Sequence, residues 1–205
     1  MTAGSGIIHS EDVRTKGKVR LLQLWLTLPN NKRWTAPDFQ TINSDEVPVH
    51  REKGAEIRVY SGSSAGLQSN TRYHVPVTMA EINLEPHAYA ELDIAASYNG
   101  FAFVIDGSVQ IGETVLNTGQ VGWLDRPSDD GTSVLHVVAG ESGARLILYA
   151  GQPQGDPIVA CGPFIGDSKQ DIARLFTEYQ GGDFPRLSEL RKQQVSNRSH
   201  DSSPR

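Results

Sequence analysis

His9 and Glu11 are separated by a single residue, and both are residue types that bind metal ions. Because residues i and i+2 of an extended chain point to the same side, an imidazole and a carboxylate at this spacing can reach one ion from one face. Such a pair suits a divalent iron, manganese, nickel or zinc ion. His-x-Glu is also common by chance, and on spacing alone a solvent-exposed strand end is the more frequent explanation.

The remaining histidines and the single cysteine add no further ligand close to this pair in the sequence. Stable mononuclear sites use three or four protein ligands, so two ligands predict weak and exchangeable metal binding. We interpret His136, within an apolar strand, as a hydrogen-bonded structural residue, and Cys161 as structural. The sequence contains no nucleophile elbow, phosphate loop or dinucleotide fingerprint. The other histidines are His50, His74, His87 and His200.

Basic residues alternate near the N-terminus, at Arg14, Lys16, Lys18 and Arg20. They could contact phosphate groups along a strand edge, but solvent-exposed charges that deter edge pairing are the better interpretation. The whole chain has 19 basic and 24 acidic residues, a net charge of -5. This balance argues against nucleic-acid binding through bulk charge, and we expect no direct nucleic-acid partner.

The number of cysteines and the lengths of the apolar runs disfavour several classes of protein. One cysteine excludes an internal disulfide framework and a multi-cysteine zinc site. No apolar run approaches the ~20 residues that a membrane-spanning helix needs, so we expect no membrane partner. The first residues carry neither the basic nor the apolar region of a secretory signal. The expectation is an intracellular protein.

Short apolar stretches separated by turn residues must position these side chains. The chain has 20 Gly and 11 Pro, and the spacing of its apolar stretches is typical of an all-β sandwich, jelly roll or barrel. Residues 23–28 alternate, with Leu24, Leu26 and Leu28 on one face, which predicts a half-buried strand. Residues 61–70 are interpreted as a loop. Further strands are predicted at residues 56–60, 77–84, 120–124, 133–138 and 144–150.

The clearest local prediction is a hairpin in which residues 101–105 and 108–112 pair across an Asp106-Gly107 turn. One helix is predicted over residues 168–180. Ser168 can cap it with Asp171 three residues later, and an apolar face recurs with helical spacing. Gly181 and Gly182 end it, and the Ser-rich residues 186–205 are predicted to be a disordered tail. The apolar face consists of Ile172, Leu175, Phe176 and Tyr179.

Three stretches together resemble the pirin family. They are the sequences MTAGSGIIHSE at residues 1–11, LQLWLTLP at residues 22–29, and Gly162-Pro163-Phe164 followed by the predicted helix. The resemblance covers residues 1–185. It implies a bicupin, with two RmlC-like jelly-roll β-barrels, and one iron in the N-terminal barrel held by three histidines and a glutamate. Members resemble nuclear transcription cofactors or quercetin 2,3-dioxygenases.

By this resemblance, His9 and Glu11 match the last two iron ligands. The family's first two histidines lie in an earlier strand, and this sequence begins inside what would be the end of the first barrel. After Glu85-Pro86, where a metal-binding cupin places a histidine pair, the chain has Ala90, Leu92 and Ile94. The resemblance therefore implies a C-terminal cupin without a metal.

These observations predict an all-β cupin with a C-terminal helix, plus remnant strands of a first cupin. We expect residues 1–29 to be that remnant, residues 30–56 a connection, residues 57–185 the C-terminal cupin and residues 186–205 the tail. The apolar residues 21–29 should pair with the C-terminal cupin or mediate self-association.

The expected function is that of a pirin-like regulatory protein with half an iron site. By the resemblance its partner would be a transcription regulator, and its location the cytoplasm, the nucleus or both. One alternative is a quercetin 2,3-dioxygenase in a full-length form. Another is an incomplete product without activity of its own.

Overall fold

The computed structural model describes residues 1–10, 16–128 and 130–190. The chain divides into two compact units, Thr41–Pro153 and the combination of Met1–Gln40 with Gln154–Arg205. Glu11 and residues 191–205 of the expected tail lie outside the described residues. Within the described part of the chain, no helix has the length and apolar character to cross a membrane.

The first unit is an antiparallel β structure, which confirms the predicted all-β jelly-roll fold. Its main sheet has the order β1-β2-β5-β10-β7-β8, with β6 pairing with β10 and β9 pairing with β7. A short hairpin, β3–β4, stands apart from this sheet. The strands are β1 (Val49–Glu52), β2 (Ala55–Ser61), β3 (Ser63–Ser64), β4 (Leu67–Gln68), β5 (Val77–Leu84), β6 (Tyr89–Ala95), β7 (Asn99–Ile111), β8 (Thr114–Asn117), β9 (Val121–Leu124) and β10 (Thr132–Gly151).

The predicted hairpin at Asp106-Gly107 is wrong, because β7 runs through these residues as one strand. Arg145 pairs with Asp106 and Leu146 pairs with Val104, so Ile105 is an extra residue that forms a bulge. The turn occurs instead after Ile111, where β7 meets β8. The Asp-Gly pair therefore bends a long strand rather than reversing it.

The strand β10 is likewise a single element where two strands were predicted. It has three extra residues relative to β7 between Ala139 and Ala144, and the kink contains Gly143. Both long strands therefore bend and pair with different neighbours along their two halves. The first half of β10 pairs with β6, and its second half pairs with β5.

Two glycines make the bends possible. Gly107 has a φ of +75° and Gly143 a φ of +76°, a region that side chains disfavour. A Cβ on Gly107 would lie 2.1 Å from the carbonyl oxygen of Gly143. One on Gly143 would lie 2.6 Å from the carbonyl oxygen of Leu84. The backbones of three strands thus approach too closely for any other residue.

The interior of this unit is filled by the inward side chains of alternating strand residues. Burying a leucine, isoleucine or valine side chain completely contributes about 1.5–3 kcal/mol, so this cluster provides the main stabilisation of the unit. The fully or almost fully buried members are Ile57, Val59, Ile82, Leu92, Val104, Val109, Val137, Leu146 and Leu148.

Several strands fall where no strand was expected. β1 and the start of β2 lie within the predicted connection, and β3–β4 form a small hairpin within the predicted loop. β6 was not predicted as a strand, although its buried residues alternate with exposed ones as in a half-buried strand. Its neighbours in the sheet, rather than its short sequence, define it.

The second unit contains the predicted helix, α1 (Lys169–Gly181), beside the two-stranded sheet of β11 (Val159–Cys161) and β12 (Phe164–Gly166). Ser168 and Asp171 form a capping box, and Gly182 ends the helix with a left-handed φ of +79°. Ile172 and Leu175 pack in an apolar cluster with Phe184. The helix prediction is therefore confirmed.

Residues 18–29, all of them described, are assigned to no strand. The predicted strand at residues 23–28 is wrong, and the expected sheet pairing of residues 21–29 is not formed. A 3-10 turn, Asn30–Lys32, follows them. Alternation indicates which face of a chain is apolar, but a strand also needs a neighbour that accepts its backbone hydrogen bonds.

The described part of the predicted disordered tail, residues 186–190, contains local hydrogen bonds. The backbone nitrogens of Glu189 and Leu190 donate to the carbonyl oxygen of Arg186, and the Glu189 carboxylate accepts from the Arg186 nitrogen. Residues 186–190 thus begin a helical turn. A parallel bridge between Ile8 and Arg186 ties the N-terminal segment to this turn.

Candidate functional site

His9 follows directly after the bridge that fixes the N-terminal segment. The Ile8 nitrogen donates to the carbonyl oxygen of Pro185, and the Leu187 nitrogen donates to that of Ile8. His9 itself is exposed. Glu11 lies outside the described residues, so the structure does not test whether the two side chains face one ion.

The iron that the resemblance implies needs more ligands than this pair. Among the residues placed by the structure, no group of three histidine, cysteine, aspartate or glutamate side chains could hold a metal ion. An exposed imidazole with no converging donors in the described chain does not fit a stable iron site. We therefore derive no chemical step through iron.

The interior of the first unit, Thr41–Pro153, here called the cupin unit, is apolar at the positions where a metal-binding cupin places a histidine pair. Ala90 and Leu92 are completely buried, and Ile94 is almost so. All three belong to the hydrophobic core, as do the facing Val104 and Leu146. Side chains therefore fill the place where a metal and its substrate would need polar ligands and open volume.

The most developed polar cluster lies on the outer face of the same sheet, around Glu81 of β5. The Tyr60 hydroxyl donates to Glu81 Oε2 at 2.8 Å. Arg145 Nε and Nη2 both lie 2.7 Å from Glu81 Oε1. β5 lies between β2, which carries Tyr60, and β10, which carries Arg145, so sheet order alone brings the three side chains together.

Glu81 is only 8% exposed, which explains its electrostatics. Its burial would raise the pKa of the carboxyl, but the hydrogen bonds from Tyr60 and Arg145 outweigh that effect and the pKa is lowered overall. Burial, together with donation to Glu81, raises the pKa of Tyr60 to about 12. Glu81 is therefore ionised and Tyr60 protonated at neutral pH.

An open depression of about 570 Å³ adjoins this cluster. Arg51, Glu56, Asn83 and Arg145 are among the residues that line it. Arg51 Nε donates to Glu56 at 2.9 Å, and Arg145 is held by Glu81. Because both arginines are paired with carboxylates, we interpret the cluster as a stabilising network on the sheet surface.

In the second unit, Arg33 is a buried guanidinium that joins distant parts of the sequence. It forms an ion pair with Asp167 at 2.6 Å and donates to the carbonyl oxygens of Leu28 and Pro157. Neither Arg33 nor Glu81 was predicted from the sequence as a functional residue. One sequence feature could have indicated the role of Glu81, which is the single carboxylate among residues 77–84 of a largely apolar strand. A charged side chain that is buried at such a position needs a partner.

The other residues considered from sequence are dispersed. His136 Nδ1 lies 3.1 Å from Glu91, its neighbour across β10 and β6, but both side chains are exposed. Cys161 is exposed at the end of β11. Lys16 and Lys18 are exposed, as expected for solvent-exposed charges, and Arg14 lies outside the described residues.

Comparisons with known proteins give matches in both units. A family model described as the pirin C-terminal cupin domain matches residues 79–185. Pirin-1 of Arabidopsis thaliana is 32% identical over 193 residues, which cover 88% of this chain and 63% of that protein. A Pseudomonas aeruginosa protein, whose name assigns it provisionally as a quercetin 2,3-dioxygenase, is 28% identical over 193 residues, covering 91% of this chain and 66% of that protein.

A solved structure agrees with the sequence comparison. The crystal structure of a Geobacillus kaustophilus protein is 37% identical to this chain and superposes with a TM-score of 0.61. The match covers 63% of this chain and 53% of that protein. The chain thus spans between about half and two thirds of the length of these three proteins.

Proposed function

Because the chain belongs to the pirin family, we propose that it is a regulatory protein that acts by binding another protein, in the manner of a transcription cofactor. The proposed partner is a transcription regulator, and the proposed location is the cytoplasm, the nucleus or both. Direct nucleic-acid binding is not part of the proposal, because the net charge of -5 opposes it.

The observation that carries this proposal is the packing of the cupin interior. Leu92, Val104, Leu146 and Leu148 are each fully buried in one apolar core. A ligand site needs a concave volume with a few polar groups directed into it. Since the interior is occupied by side chains, the surface of the unit is what remains available for recognition.

The iron site is proposed to be incomplete in this chain. His9 and Glu11 would supply two ligands, and weak, exchangeable binding of iron is expected from them. The His9→Ala variant should bind iron with an affinity within a few-fold of that of the unaltered chain. A large loss of affinity on that substitution would indicate a real site at His9.

Quercetin 2,3-dioxygenase activity is the second candidate function, in a full-length form. It is favoured by the name of the Pseudomonas aeruginosa relative. Whether this chain itself has that activity is tested by an assay that follows the absorbance of quercetin under oxygen with the chain and added Fe²⁺. We expect no consumption beyond that of Fe²⁺ alone, and turnover that depends on the chain would replace the regulatory proposal with the enzymatic one.

A further inference from the structure

The segment at residues 19–26, here called the apolar segment, is exposed although its composition is that of a buried strand. Leu21 is 62% exposed and Trp25 57%, and the other exposed large side chains are Val19, Leu22 and Leu26. Single exposed apolar residues are ordinary, but five within eight positions form a patch of the kind that marks an interaction site.

The apolar segment is preceded by positive charge. Lys16 and Lys18 are exposed, and residues 16–37 contain no aspartate or glutamate. The chain as a whole has a net charge of -5, so this stretch is opposite in sign to the net charge. A partner for it should combine apolar side chains with acidic ones.

The same chain presents such a surface on its cupin unit. Tyr89 of β6, Val138 of β10, Gln110 of β7 and Val115 of β8 lie opposite one another in register, so their side chains share one outer face. Tyr89 is 64% exposed, and both valines are exposed.

Acidic residues accompany this row. Glu91 pairs with His136 and Asp93 with Val134 in the next positions along β6 and β10, and both carboxylates are on exposed residues. We call the surface formed by these residues the β6–β10 face. It is apolar at the Tyr89 end and carries two carboxylates toward the other end, where Val134 is also exposed. Glu91 contacts His136 and Asp93 accepts from the Ala65 nitrogen, but both carboxylates belong to exposed residues that a lysine can approach.

We propose that the apolar segment of one copy of the chain docks on the β6–β10 face of a second copy, with Lys16 and Lys18 beside Glu91 and Asp93. Each copy carries both surfaces, so a reciprocal exchange gives a dimer with two identical contacts. Direct pairing of two apolar segments is less favourable, because neither segment supplies an acidic group for the lysines of the other. This inference is independent of the regulatory function proposed above.

The dimensions are compatible with such a contact. An extended chain advances about 3.3 Å per residue, so residues 18–26 span roughly 30 Å. The seven residues of β6 span roughly 23 Å at the same rise. One segment can therefore lie along the full length of this face with its basic end beyond the apolar row.

Sedimentation equilibrium of the full chain at micromolar concentration tests the dimer. We expect a dimer whose dissociation increases with salt, because exposed charge pairs are screened. A monomer at all concentrations that remain in solution overturns the proposal.

Charge exchange tests the geometry. Lys18→Glu and Glu91→Lys should each weaken dimerisation about tenfold, and the double variant should restore most of the affinity. Glu85→Lys makes the same charge change at an exposed site outside the face and should leave the affinity unchanged. Unaltered thermal melting shows that each variant is folded.

Two results would contradict this geometry. One is a dimer that Lys18→Glu weakens but Glu91→Lys does not, which would indicate contact between the segments themselves. The other is a double variant no better than the worse single variant. Tyr89→Ser replaces an exposed residue of the face without changing the charge. It should also weaken the dimer.

Discussion

Arg145 and Glu81 form the best-defined polar contact of the cupin unit, with Nε and Nη2 of the arginine both 2.7 Å from one carboxylate oxygen. The carboxylate is buried, whereas the arginine side chain is half exposed. The cost of burying Glu81 is offset by Arg145 and Tyr60 together, so either partner's loss leaves a charge that the sheet surface cannot solvate.

Replacing Glu81 should therefore destabilise the unit. Glu81→Gln keeps the shape but removes the charge that holds Arg145 and accepts from Tyr60, and we expect a loss of about 2 kcal/mol in the free energy of unfolding. Urea denaturation measures it. Glu91→Gln, on an exposed residue of β6, should stay within about 0.5 kcal/mol of the unaltered chain. Equal stability of both variants would show that the Glu81 network contributes nothing.

The same carboxylate predicts a pH dependence. Because the pKa of Glu81 is lower in the folded chain, its stabilisation is present above the unfolded pKa of about 4.3 and is lost as the pH falls through the lower folded value. The difference in unfolding free energy between the unaltered chain and Glu81→Gln should shrink as the pH falls below about 4.3. A difference that stays constant between pH 7 and pH 3 would contradict the lowered pKa.

The bends of the two long strands depend on glycine. Gly107→Ala and Gly143→Ala would each place an alanine at a positive φ, with its Cβ too close to a backbone oxygen. Gly119 has a φ of +83° but open space around its Cβ position. Gly119→Ala should lose about 1 kcal/mol from the conformation alone, and the other two should lose clearly more. Three equal losses in thermal or urea melting would mean that the close approach of the strands is unimportant.

These bends also show which features of the fold could be predicted from the sequence. Asp106-Gly107 has the composition of a hairpin turn, and the residues of 139–144 look equally like a loop. A turn and a kink need the same positive φ, and only the neighbouring strand decides between them. The existence of strands was therefore predictable from local pattern, but their continuity was not.

The helix was predicted closely because its determinants are local. Ser168 and Asp171, three residues apart, define its start, and Gly182, directly after its last residue, defines its end. The strand predicted from the alternating leucines of residues 23–28 was wrong for the opposite reason. A strand needs a neighbouring strand, and the local sequence pattern does not specify one. The Glu81 cluster has the same dependence, because β2, β5 and β10 are distant in sequence.

The helix cap can be tested on its own. Ser168→Ala removes the hydroxyl that accepts from the Asp171 nitrogen and should lower stability by about 1 kcal/mol. Gln170→Ala, at an exposed position in the same turn, should be neutral or slightly stabilising because alanine favours helices. Circular dichroism during thermal unfolding measures both. Equal melting of the two variants would indicate that the capping box does not stabilise α1.

The cupin interior is packed with apolar side chains, and we propose that this chain holds no complete iron site of its own. Anaerobic incubation with Fe²⁺, followed by desalting and elemental analysis, tests this proposal. We predict far less than one iron retained per chain, unchanged by His9→Ala. One tightly retained iron per chain, lost on that substitution, would show that the chain does hold a complete iron site.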